Sequence, residues 1–427
     1  MLKNKTVKNA TWIIVCKIIQ AGLSLVVTML SSRVLGPAGY GLINYAMSIV
    51  TFLAPIMYLG FTSVLVQEIV QHPELEGETL GTAVAMSFFS SLVCIGGVAA
   101  FVSIANKGET ETLIVCLLYS VLLIFQSVEI IVYWFQAKLL SKYSSLAILA
   151  AFIAVSLYQL WVLFTGKSIY WFAISNALNY FLIASILIII YKKLGGQKLS
   201  FSFNTFRRMF ARSKYYIISD MMITIFAQTD RIMIKLMLGD SQTGYYSAAV
   251  TCATMTGFVF TAIIDSMRPT ILEAKKDNTP GYELNLKRLY NIVIYLSLLQ
   301  SLLITLLSGL IVRILYGSDY AAAVPALRIV AWYTTFSYIG SVRNIWILAE
   351  GKQKYLLFIN MFGAVANVAL NFLLIGKFGI NGAAFASLIT QIFTNVVIGF
   401  IFKDIRQNNY IMLKSLSPNI FFGMLRR

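Results

Sequence analysis

The chain has 427 residues, of which 59% are hydrophobic and 12% charged, with a formal net charge of +17. A soluble domain carries about a quarter charged residues and a single core stops growing near ~250–300 residues, so apolar content on this scale requires lipid as the solvent. The basic residues sit in short loops between apolar runs, which argues against nucleic acid as a partner, and a single histidine, His72, excludes histidine-based catalysis and His-rich metal ligation.

In chain order, the basic segment Met1 to Asn9 leads into an apolar run long enough to stay in the bilayer, so no cleavable signal peptide is expected. With about 20 apolar residues needed per crossing, the sequence predicts an all-α integral membrane protein of about twelve spans. They lie near 10–34, 41–65, 79–105, 111–137, 143–164, 168–192, 213–238, 243–267, 285–316, 321–349, 355–376 and 382–403. Gly36-Pro37, Pro73, Gly195-Gly196, Pro280-Gly281 and Gly317 punctuate their ends. Cys16, Cys94, Cys116 and Cys252 fall inside spans and read as small apolar side chains rather than a disulfide framework or a metal site.

Several spans carry polar residues on one helical face, an expensive arrangement in lipid that calls for a cavity or a neighbouring helix. Span 1 has Lys17, Gln20, Ser24, Thr28 and Ser31; span 2 has Asn44, Ser48, Thr51, Tyr58 and Thr62. Span 4 has Gln126, Glu129, Tyr133 and Gln136. Span 7 has Asp220, Thr224 and Arg231, flanked by Gln228 and Asp230. Span 8 has Ser247, Thr251, Thr254, Thr261 and Asp265, span 11 has Asn360, Asn367 and Asn371, and span 12 has Ser387, Gln391 and Asn395. For any single hydroxyl, interhelical hydrogen bonding is the competing account.

Counting Lys and Arg places both termini on the cytoplasmic side: 24 of the 34 lie in segments on that face and 6 on the other. The one dissenting segment is 66–78, which holds Glu68, Glu74, Glu76 and Glu78 and no Lys or Arg. Leu35-Gly36 with Gly39-Tyr40, six spans before Leu238-Gly239 with Gly244-Tyr245, reads as an internal repeat. An even number of helices per repeat gives parallel halves, whose substrate site is expected between them. The expected division is 1–200, 201–404 and a basic cytoplasmic tail, 405–427.

Lys17, Arg231 and Arg343 in a low-dielectric cavity could hold an anion such as pyrophosphate, with Gln20, Ser24, Thr51 and Asn367 as polar lining; snorkelling to the interface is the alternative for Lys17 and Arg343. Asp220, Glu129, Asp265 and Asp230 could be ion-coupling groups or gate partners of those bases, with Asp220 the first choice. Gly166-Lys167-Ser168 lacks the leading glycine of a phosphate-binding loop, since Trp161 stands there, so ATP is not expected as a cofactor, nor is any other. The short outer loops leave little room for an enzyme's active site.

Leu35-Gly36-Pro37-Ala38-Gly39-Tyr40-Gly41, then Asp230-Arg231-Ile232-Met233-Ile234 with Gly244-Tyr245-Tyr246-Ser247-Ala248-Ala249, then Gly379-Ile380-Asn381-Gly382-Ala383-Ala384, resemble the polysaccharide-biosynthesis flippases of the Wzx type. The resemblance implies membership of the multidrug/oligosaccharidyl-lipid/polysaccharide exporter superfamily, with a MATE-like fold of two six-helix lobes. It further implies alternating access and an undecaprenyl-pyrophosphate-linked oligosaccharide as substrate, for O-antigen or capsule, in a bacterial inner membrane. Membrane lipid and other polysaccharide assembly proteins are the implied partners. A multidrug or organic-cation antiporter of the same superfamily is the alternative, and that function would favour an acidic, aromatic cavity.

Overall fold

The computed structural model describes residues 2–277 and 281–417, with side chains from residue 12 onward except residue 14. Lys3, Lys5, Lys8, Arg426 and Arg427, counted above for orientation, lie outside the described side chains. Each expected span falls on helix, and no strand occurs among the described residues. Lipid offers no partner for a backbone N–H or C=O, so each segment must satisfy its own.

Two compact units divide the chain, residues 1–224 and 225–427, and the division falls inside a helix. Unit 1 contains α1 (Leu2–Met57), α2 (Leu65–Gln71), α3 (Glu76–Ala105), α4 (Thr110–Ser120), α5 (Leu122–Glu129), α6 (Val132–Ala137), α7 (Ser141–Phe164) and α8 (Ile169–Lys193). The divided helix is α9 (Phe203–Leu238). Unit 2 continues with α10 (Asp240–Thr254), α11 (Gly257–Lys276), α12 (Gly281–Leu315), α13 (Ala323–Ala349), α14 (Lys354–Phe378), α15 (Ile380–Ile392), α16 (Ile398–Ile401) and α17 (Arg406–Lys414). By length and composition, eight described helices could cross a membrane, or nine with α10 and α11 taken as one span bent by 42°. The count falls below twelve because spans 1 and 2 merge in α1, and because charged and polar side chains lower the hydropathy of α9 and α13.

The merger in α1 is interrupted at Gly36, with φ 65° and ψ 176°. Gly239, between α9 and α10, has φ 89° and ψ −176°. Only glycine visits this region readily. The two Leu-Gly pairs of the repeat therefore share a backbone geometry as well as a sequence.

In unit 1, Phe61, Leu65, Ile69, Leu80, Trp134, Phe135, Tyr191 and Met209 form a buried core. The basic segment after α8 folds back over it and runs along the first turns of α3. Tyr191 Oη donates to the Gln197 carbonyl at 2.6 Å, and the Gln197 side chain accepts from Gly77 N–H and donates to the Pro73 carbonyl, each at 3.1 Å. Ser200 N–H reaches the Gly77 carbonyl at 3.3 Å, and Ser202 N–H reaches Thr82 Oγ1 at 3.0 Å. Such contact needs bare backbone on α3: a Cβ on Gly77 would stand 2.6 Å from the Lys198 carbonyl oxygen, and one on Gly81 2.4 Å from that of Ser200.

The same docking accounts for the acidic segment. Glu68 is fully buried and accepts from Arg212, with Arg208 Nε 3.5 Å away; Glu76 meets Lys138 Nζ at 2.6 Å, and Glu78 accepts from Thr205 Oγ1 at 2.5 Å. Glu68 and Glu76 hold basic residues and Glu78 a threonine at the start of α9, which puts 66–78 on the same face as 138–142 and 193–212. The pair is asymmetric, because both arginines are about half exposed whereas Glu68 has no route to water. Replacing Glu68 by Gln should therefore cost about 1 kcal/mol, as the arginines turn to solvent. Arg208→Ala with Arg212→Ala strands a buried carboxylate and should cost ~3 kcal/mol or more, read as the difference in thermal unfolding of the purified variants.

Unit 2 has its own core, including Phe260, Tyr290, Trp346, Ile398, Ile411 and Met412. Its last members come from the segment read above as a tail. Asn291 Nδ2 donates to the Ser415 carbonyl at 2.6 Å, Tyr290 Oη to Asn408 Oδ1 at 2.8 Å, and Asn409 Nδ2 to the Val396 carbonyl at 2.7 Å. Residues 406–417 are thus built into unit 2, while 418–427 lie outside the described residues.

Candidate functional site

The most concentrated buried polar group in unit 2 centres on Asp230. Its carboxylate is 6% exposed and accepts from three neutral donors: Tyr246 Oη of α10, Asn371 Nδ2 of α14 at 2.6 Å, and Ser387 Oγ of α15 at 2.5 Å. Asn371 Nδ2 also donates to Asn367 Oδ1 at 3.0 Å, and Asn367 Nδ2 lies 3.4 Å from Ser387 Oγ. The spacing of Asn367 and Asn371, four apart, puts both amides on the face of α14 toward Asp230. No Lys or Arg among the described residues forms an ion pair with Asp230. The Asn371 side-chain oxygen is buried beside this carboxylate and lacks a hydrogen-bond partner. A lone carboxylate with nearby amide and hydroxyl oxygens is suited to a proton or a small hard cation.

The neighbouring Arg231 is half-buried, donates to Gln228 Oε1 at 3.2 Å, and leaves its Nε without a partner. Arg343 is 4% exposed and turned to a different task. Its Nη1 donates to the Thr394 carbonyl at 2.5 Å and its Nη2 to Asn344 Oδ1 at 3.0 Å. Thr394 belongs to a π-helical stretch, Phe393–Val397, that interrupts span 12. A π turn loosens the regular ladder, and such turns cluster at functional positions. Gly340 of α13 makes room for it, since a Cβ there would stand 2.1 Å from Asn395 Oδ1. Arg343 and Arg231 are therefore engaged with unit 2's own polar groups. Asn367, expected as cavity lining, belongs to the Asp230 cluster.

In unit 1, Lys17 and Ser24 are exposed on α1, and Gln20 and Thr51 are half-buried. Many hydroxyls of the polar faces bond to their own helix: Ser48 Oγ to the Asn44 carbonyl and Thr254 Oγ1 to the Val250 carbonyl, both at 2.8 Å, and Thr224 Oγ1 to the Met221 carbonyl at 3.0 Å. This back-bonding lets a hydroxyl sit in an apolar helix without a partner elsewhere. Glu129 ends α5, where span 4 is broken, and Tyr58, Tyr133 and Tyr180 lie within electrostatic reach of it. Asp220 is half-buried and acts on Tyr133. Asp265 is exposed and sits 4.0 Å from Arg268 one turn on. Among the described residues no group of three or more His, Cys, Asp and Glu could hold a metal ion.

Residues 6–275 match the model of a family described as polysaccharide biosynthesis protein. The chain belongs to that family. Among its relatives is a candidate O-antigen transporter of Shigella flexneri, 23% identical over 88% of this chain and 93% of that one. The capsular polysaccharide biosynthesis protein CapF of Staphylococcus aureus is 22% identical over 93% of this chain and 100% of that one. Among solved structures, the lipid II flippase MurJ in an inward closed conformation aligns with TM-score 0.72 at 16% identity, over 97% of this chain and 92% of that one. An inward-facing multidrug resistance MATE family transporter aligns with TM-score 0.68 at 14% identity, over 93% and 96%. The family membership and the MATE-like, all-helical membrane fold expected from the three motifs are both borne out.

Sequence reasoning offers Asp230 as a flanking residue of span 7 and as one of four candidate coupling or gate acids, but does not pair it with Tyr246, Asn371 and Ser387. Tyr246 is visible as part of the family motif, but no spacing in the sequence pairs its hydroxyl with a carboxylate sixteen residues earlier on another helix.

Proposed function

We propose that this protein is a flippase that carries undecaprenyl-pyrophosphate-linked oligosaccharide units across the bacterial inner membrane for O-antigen or capsular polysaccharide assembly. Family membership is the observation that carries this reading, and the likeness in fold to MurJ supports it. The sugar and pyrophosphate would cross by alternating access over polar helix faces while the polyprenyl chain stays in lipid. Lys17, exposed and without an ion-pair partner among the described residues, would meet the pyrophosphate as a point charge. Asp230, rather than Asp220, is the coupling residue we favour, because its charge is buried without a cationic partner. Both termini would be cytoplasmic, as the basic residues held by Glu68 and Glu76 suggest.

The test is reconstitution with a defined lipid-linked saccharide, with protection from an external glycosidase as the readout, with and without a proton or sodium gradient. Lys17→Ala should leave stability unchanged, since the side chain is exposed, and lower the flipping rate by about tenfold, the loss of one charge-assisted contact of ~1.4 kcal/mol. Single cysteines at Ser24, Thr51, Thr224 and Thr254 should react with water-borne maleimide. If all four were sealed and Lys17→Ala were fully active, the reading would fail.

A second reading, an organic-cation antiporter, is favoured by the carboxylate of Glu129 with Tyr58, Tyr133 and Tyr180 around it. Normal surface polymer together with new drug sensitivity in a deletion strain would select it.

A further inference from the structure

The segment after α8 carries an unusual pairing of exposed groups. Leu199, Phe201 and Phe203 are 37%, 54% and 65% exposed, and Lys192, Lys193 and Lys198 beside them are exposed as well. A loop bathed in water would not display two phenylalanines. Its position on α3 explains them. The contacts at Gly77, Gly81 and Thr82 carry the segment past Glu78, after which α3 has no charged residue through Ala105. Phe89 lies about 16 Å beyond Glu78, at ~1.5 Å per helical residue. Leu199 and Phe201 with Val84, Phe88 and Phe89 line an open apolar groove of about 360 Å³.

We infer that this groove and the adjacent lysines bind an anionic phospholipid of the leaflet on the basic face. An acyl chain lies in the groove between α3 and the linker, and its phosphate meets Lys192, Lys193 and Lys198. The charge complementarity commits the site to an anionic lipid. A zwitterionic lipid would fill the groove equally well but gain little from three ammonium groups.

The inference is independent of the transported substrate and is tested without one. Full-length protein carrying the photoreactive residue benzoylphenylalanine in place of Phe201 is reconstituted in phosphatidylethanolamine vesicles containing a minority of phosphatidylglycerol and no polyprenyl lipid. Adducts are then read by mass spectrometry. Phosphatidylglycerol adducts should exceed that lipid's share of the vesicle by about threefold or more. The enrichment should fall toward that share in the Lys192→Gln/Lys193→Gln/Lys198→Gln variant, and in unmodified protein at high salt, which screens the lysines without altering the chain. Adducts in proportion to vesicle composition, adducts to protein alone, or enrichment unmoved by both salt and the lysine changes would overturn it.

Discussion

Asp230→Asn should fold normally and lose gradient-driven transport by about tenfold or more, equivalent to ~1.4 kcal/mol of coupling. The reasoning begins with the three donors that converge on Asp230. A neutral amide keeps the shape and can still accept from Tyr246. Tyr246 and Ser387 both donate to Oδ2, so an amide oxygen kept there serves both, and the new N–H groups at the Oδ1 position oppose only Asn371, whose amide can turn to present its unpartnered oxygen. The cluster can therefore re-form without charge. Asp230→Ala behaves differently, because it leaves three buried donors without an acceptor at ~1–3 kcal/mol each, and the protein should unfold at a clearly lower temperature. A coupling role requires that Asn fail in transport while remaining stable. If Asp230→Asn transports at the normal rate with an unchanged response to proton and sodium gradients, Asp230 is structural.

The second large effect is expected at Gly81. A valine there would drive its Cβ to 2.4 Å from the Ser200 carbonyl oxygen and 2.6 Å from its nitrogen. Both are backbone atoms, so no side chain can swing aside. Releasing the linker removes the bonds made by Ser200, Ser202 and the Gln197 side chain, at ~1 kcal/mol net each, for a total of about 3–4 kcal/mol. Proteolysis at Lys198 should become much faster in Gly81→Val than in the parent protein. A variant as protease-resistant as the parent would show that the linker does not depend on this contact. Gly22, with open space around its Cβ position, is the matched control on another span.

Much of the architecture was legible because lipid imposes long apolar segments and leaves few alternatives to helix. Positions of the spans followed from hydropathy, and the Gly36 and Gly239 turns from their place at matching ends of a repeat. The site was legible only in part. A stripe of polar residues at helical spacing identifies a face, but a hydroxyl that bonds to its own carbonyl, as at Ser48 and Thr254, gives the same stripe as one lining a path. Arg343 illustrates the opposite gap. Its partner, the Thr394 carbonyl, is a backbone atom freed by a local π turn, and no residue type in span 12 announces such a turn. Likewise, the acids at 66–78 looked anomalous until Arg208, Arg212 and Lys138 were found across from them, a pairing that depends on how a loop folds back.

The way α17 is held has a consequence for biogenesis. Asn291 and Tyr290 of α12 donate to the Ser415 and Ser417 carbonyls and to Asn408, all more than a hundred residues later. Unit 1 can fold back on itself once α9 has emerged, whereas α12 must wait in the bilayer with these polar side chains unmatched until α17 has been made. Nascent chains stalled or clipped before position 408 should therefore be the ones that quality-control proteases recognise.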